Sequence, residues 1–99
     1  MEATKRRYGG IDLGKREYTM AIINRNGTMS IHQGKTSEQG RQALYRLLEQ
    51  SDKVALEAGN MAFIMAREIM ERLGSEVRVM MLGQSPFAFL LQFSYWFSW

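Results

Sequence analysis

The segment that most constrains the fold is Val54-Ala55-Leu56-Glu57, a short apolar run with a helical pattern on either side. A chain that leaves one helix, forms a brief apolar strand and enters another helix builds a strand buried on both faces. Such a strand lies parallel to its neighbours, so the chain is predicted to fold as an α/β domain around a sheet.

The residues before it supply the rest of that sheet. Residues 8–15, Tyr-Gly-Gly-Ile-Asp-Leu-Gly-Lys, read as a first strand ending near Gly14, and residues 17–23 as a second. Asn26-Gly27 then stands between two β-prone runs, a strong hairpin signal, and residues 28–33 make the third strand. Thr36 with Gln39 three residues later resembles a capping box. Behind it, Ala43, Leu44, Leu47 and Leu48 recur at helical spacing over residues 38–50. Asn60 is positioned to cap a second helix, with Phe63, Ala66, Met70 and Leu73 as its apolar face and Gly74 as its stop. Residues 77–82 are a fifth strand. Right-handed crossovers set the fourth strand beside the first and the fifth beyond it, so the expected sheet order is 3-2-1-4-5. That order is the ribonuclease H-like arrangement, which the actin-like ATPases share.

Composition adds bounds rather than a function. With 99 residues and 45% apolar content the chain makes one small domain with a modest core. A formal charge of +3 permits contact with a polyanion without establishing it. The absence of cysteine excludes disulfides and thiolate metal sites and fits a reducing cytoplasm. Charge stops at Arg78. Residues 79–99 carry none, and residues 87–99 are rich in aromatics, so residues 83–99 are expected to be a separate apolar tail behind a domain at 1–82.

Two acids stand out. Strand alternation puts Asp12 on one face with Gly10 and Gly14, and Glu57 on one face with Ala55 and Gly59. On adjacent strands, roughly 4.8 Å apart, these carboxylates would repel unless a cation lay between them. Mg²⁺ accepts such ligands and keeps room for substrate phosphates. The plainer alternative is that the glycines serve turns and that Glu57 is a solvated strand-end acid. Lys5, Arg6, Arg7 and Lys15 are candidate phosphate contacts for a nucleic acid, although a short basic terminus is commonly just solvated. His32 reads as a surface residue at a strand end, and Met61, Met65 and Met70 as core fillers.

Tyr8-Gly9-Gly10-Ile11-Asp12-Leu13-Gly14-Lys15, the Asn26-Gly27 hairpin and Ala55-Leu56-Glu57-Ala58-Gly59-Asn60 together resemble the DEDD transposases of bacterial insertion sequences, the insertion-sequence-110 group. The resemblance covers about residues 7–82. It implies a RuvC-like amino-terminal domain with four acids around Mg²⁺, Asp12 matching the first and Glu57 the second. It further implies a catalytic role for both, DNA as substrate, a structured guide RNA in some members, and a homo-oligomeric full-length enzyme. No acid follows Glu76, so the third and fourth acids and the family's serine domain are absent, and an inactive, frameshifted or interrupted fragment is expected.

Two alternatives accompany this expectation. One is a nucleic-acid-binding or dimerising module without chemistry. The other is an actin-like ATPase fragment, which would want Ser or Thr where Lys15-Arg16-Glu17 stand. A membrane anchor is disfavoured, because spanning takes roughly 20 apolar residues and Gln84 and Pro86 interrupt the tail.

Overall fold

The computed structural model describes residues 6–57, 59 and 61–80. The order is β1 (Tyr8–Leu13), β2 (Glu17–Ile23), β3 (Met29–Lys35), α1 (Glu38–Leu47), β4 (Lys53–Glu57), α2 (Ala62–Leu73) and β5 (Glu76–Met80). They form one mixed sheet in the order β3-β2-β1-β4-β5, as expected. β1, β2 and β3 pair antiparallel, whereas β4 runs parallel to both β1 and β5. The expected tail at residues 83–99, with its frameshift reading, lies outside the described residues.

Both crossovers lead from one parallel strand direction to the next, so their helices share a face of the sheet. Ile11, Tyr18, Met20, Ile22, Val54 and Leu56 point to that face and pack with Leu44, Tyr45 and Leu48 of the α1 region and Ala62, Met65, Ala66 and Ile69 of α2. The α2 stripe matches expectation at Ala66, which is buried, and at Leu73, which packs against the core, and differs at the other two positions. Phe63 and Met70 are 66% and 49% exposed, while Ala62, Met65, Ala66 and Ile69 are buried. All four belong to a 3.6-residue stripe, and the two alanines let the helix approach the strands more closely than a phenylalanine would.

Local caps also differ. Ser37, not Thr36, is the N-cap of α1, its hydroxyl accepting from the Gly40 amide at 3.2 Å. The Thr36 amide is already used, donating to the Arg16 carbonyl at 2.9 Å as the β2–β3 ladder runs out. Gly40 is required here: a Cβ would stand 1.9 Å from the Lys35 carbonyl oxygen. α1 ends at Leu47 rather than residue 50, and Met61 precedes α2 without a side-chain cap. The expected cap Asn60 lies outside the described residues. In the hairpin, Gly27 alone takes a positive φ (87°), and its amide closes the turn onto Asn24 at 2.9 Å. The Asn24 side chain then ties Thr28 and Ser30 together.

One buried ion pair locks the base of the sheet. The Arg7 guanidinium grips Asp52 with Nε at 3.0 Å and Nη2 at 2.7 Å, and Nη2 also donates to the Leu47 carbonyl. Asp52 is 1% exposed, and it also accepts from the Glu49 amide at 2.7 Å. The entries to β1 and β4 are thereby clamped to the end of α1, with Lys53 N bonded to Arg7 O at 3.0 Å.

Candidate functional site at the carboxyl ends of β1 and β4

In an open α/β sheet the carboxyl ends of parallel strands are where loops gather and ligands bind. β1 and β4 are the central parallel pair, with Gly10 opposite Ala55 and Ile11 opposite Leu56. The next step along both strands brings Asp12 and Glu57 together, on the face opposite the helices. Ile11 and Leu56 are fully buried on the helix side, which fixes the register; a slip of one residue would turn both apolar side chains out.

The Glu57 carboxyl, beside Asp12, is raised above its ordinary range. Burial is the largest cause, and the hydrogen bond and negative charge of Asp12 add to it. Such a pair holds either a shared proton or a shared cation. Among the described residues no cluster of three or more His, Cys, Asp or Glu forms, so the pair is the whole acidic donor set there.

Glycines open the approach. Gly14 begins a tight turn in which its amide donates to the Glu17 carbonyl at 2.8 Å. A cleft of about 420 Å³ lies at this end of the sheet, lined by Leu13, Gly14, Lys15, Gly59 and Met61. A second depression, about 630 Å³, continues over Gly14, Lys15, Arg16, Glu17 and Lys35. A Cβ on Gly59 would meet nothing within 4 Å, so that glycine leaves open space at the mouth.

The other basic candidates lie elsewhere. Arg7 is committed to Asp52, and Arg6 reaches Glu76 at 3.3 Å on the surface. Lys5 lies outside the described residues. Of the three that are described, Lys15 alone lines the cleft. Met61, expected as a core filler, does pack against the core while partly buried, and it also lines the cleft. His32 is half-buried within β3, facing the helix side opposite Met20, rather than at a strand end.

No family model and no curated protein matches this chain. Among solved structures it is similar to the Ppx/GppA phosphatase of Aquifex aeolicus in its type II variant, at 16% identity and a TM-score of 0.41, over 76% of this chain and 35% of that one. A second Aquifex aeolicus Ppx/GppA structure gives 18% identity and a TM-score of 0.39, over 76% and 35%. An exopolyphosphatase from Cytophaga hutchinsonii gives 12% and 0.45, over 75% and 34%. This chain thus spans 34–35% of the length of those structures. The expected membership of the insertion-sequence transposases, with its DNA cleavage and strand exchange, is corrected by these comparisons, in which the matched structures are phosphatases. The alternative of a nucleic-acid-binding or dimerising module gains nothing from them. The physical reason lies in the motifs themselves: a Gly-Ile-Asp-Leu-Gly strand and a short Leu-Glu strand report how a sheet is built, and one sheet hosts unrelated chemistries. Likenesses this distant assign no activity to this chain.

Proposed function

We propose that the carboxyl ends of β1 and β4 form a binding site for a divalent cation, Mg²⁺ by preference, that presents a phosphate-bearing ligand to the cleft beside it. The observation that carries this reading is the Asp12–Glu57 carboxyl pair, which the strand register sets side by side at the ends of two parallel strands, just before the chain turns at Gly14 and Lys15 along the cleft. The donor set fits the ion. Carboxylate oxygens are hard ligands, and two of them leave the remaining positions of an octahedral ion to water and phosphate oxygens. Bound there, the ion would polarise a phosphoryl oxygen.

The chain's own residues divide the remaining work. Asp12 and Glu57 would hold the ion and set its place at the strand ends. Lys15, one turn beyond, would face the outer oxygens of the ligand as a point charge. Gly14 and Gly59 keep side chains out of the approach. The β-β-β-α-β-α-β order with sheet order 3-2-1-4-5 supports placing this arrangement in a ribonuclease H-like architecture, which puts a carboxylate of the first strand beside one of the fourth.

Calorimetric titration with Mn²⁺ and Mg²⁺, with and without inorganic phosphate, tests the proposal. Wild type should bind Mn²⁺, phosphate should tighten that binding, and Asp12→Asn should weaken it by at least about tenfold, the loss of one of two charged ligands. Equal affinity in wild type and Asp12→Asn would sink the reading.

A further inference from the structure

β3 is an outer strand of the sheet, and it lacks the devices that keep outer strands from pairing. Protein edges are blunted by charges, prolines, bulges or brevity. β3 is seven residues long, contains no proline, and pairs with β2 residue for residue from Glu17–Lys35 to Ile23–Met29 without a bulge. Its single charge, Lys35, sits at its last position and is tied to Glu17 at 3.2 Å. Met29 and Ile31 are 56% and 57% exposed, side by side on the face away from the helices. On that face they adjoin Ile23 and Ala21 of β2, their cross-strand partners, so the apolar strip is two strands wide. β5, by contrast, carries Glu76 and Arg78 on the same face.

We propose that β3 is a self-association edge, at which a second copy of this chain adds its own β3 antiparallel and continues the sheet across a twofold axis. The strand's charge pattern selects this occupant. With Ile31 of one copy against Ile31 of the other, Met29 falls opposite Gln33, and Lys35 passes beyond the paired stretch. No like charges meet, and the exposed apolar side chains of both copies form one strip. A partner strand bearing acids or lysines would lose that match. Among the described residues no strand pairs with the outer side of β3, so its outward amide and carbonyl groups supply the hydrogen bonds, as in strand addition generally, and a twofold is the commonest symmetry for such contacts.

The test uses the full chain, whose lack of cysteine makes a single introduced thiol informative. Sedimentation velocity over a range of concentrations should show a monomer–dimer equilibrium for wild type. Ile31→Lys should weaken it by about tenfold or more, through lost burial and two lysines set face to face. Circular dichroism should stay unchanged, because the residue is outside the core. Under mild oxidation Ile31→Cys should give a disulfide dimer, whereas Ile64→Cys, exposed on α2, should not. A monomeric wild type, association of any size that ignores Ile31→Lys, or equal crosslinking through both cysteines would each overturn the proposal. None of these readouts depends on cation binding, so the edge and the cation site stand or fall separately.

Discussion

At the scale of single residues, Asp52 shows how a charge becomes structural. It is 1% exposed, and three donors satisfy it: two guanidinium nitrogens of Arg7 and the Glu49 amide. Removing one partner of a buried pair leaves the other charge unpaired, which costs about 3–5 kcal/mol. Asp52→Asn should therefore destabilise the fold by an amount near the lower end of that range, since the amide still accepts from Glu49; urea unfolding measures it. Conversion to a well-packed apolar pair at both positions should recover part of the loss. Nothing in Arg6-Arg7 or Ser51-Asp52 distinguishes this pair from solvated charges in the sequence. Partners 45 positions apart become neighbours only when β1 and β4 lie side by side.

At the scale of elements, α1 and α2 are joined by more than apolar contact. Glu68 on α2 accepts from the Tyr45 hydroxyl at 2.7 Å and from Arg41 Nε at 2.9 Å, both on α1. Arg72 adds a contact to Gln42 and lies over the Tyr45 ring at 5.7 Å. Burial alone would raise the Glu68 carboxyl, but the hydrogen bonds from Tyr45 and Arg41 outweigh it and leave it below its ordinary 4.5. A depressed folded-state value means that the stabilisation is complete above 4.5 and is lost as pH falls through the lower folded value. Thermal melts between pH 6 and pH 3 should therefore fall less steeply for Glu68→Gln than for wild type. An identical slope would show that the helix tie carries no charge linkage. The Tyr45 hydroxyl, raised by burial and then by Glu68, stays protonated throughout this window.

At the scale of the whole molecule, the sheet places a costly pair of acids where its two central parallel strands end. A ligand that binds only the folded state stabilises it by about 2.7 kcal/mol at a hundredfold excess over its dissociation constant. Mg²⁺ should accordingly raise the melting temperature of wild type and raise that of Asp12→Asn less at the same concentration. In cation-free buffer at neutral pH, Asp12→Asn should melt no lower than wild type, because it removes the negative charge facing Glu57. A lower melting temperature for the variant would mean that Asp12 is structural rather than a ligand.

Much of this architecture was legible in the chain. Alternating apolar residues, the Asn26-Gly27 hairpin and the short Val54–Glu57 run specify five strands and two helices, and right-handed crossovers leave one sheet order. Strand periodicity alone set Asp12 and Glu57 on matching faces. Tertiary structure decided what periodicity leaves degenerate. Which stripe of α2 faces the sheet depended on how closely Ala62 and Ala66 let it approach. Whether Ser37 or Thr36 capped α1 depended on where the β2–β3 ladder ends, since Thr36 still bonds to Arg16 across it and the helix starts one residue later. Whether Arg7 could face a ligand depended on Asp52, which takes its guanidinium. The local pattern encodes spacing along the chain, whereas each of these outcomes turns on competition between groups far apart in sequence. The motif that resembled a transposase belongs with the first class: it specified a sheet, and the chemistry at the end of that sheet is set by what gathers there.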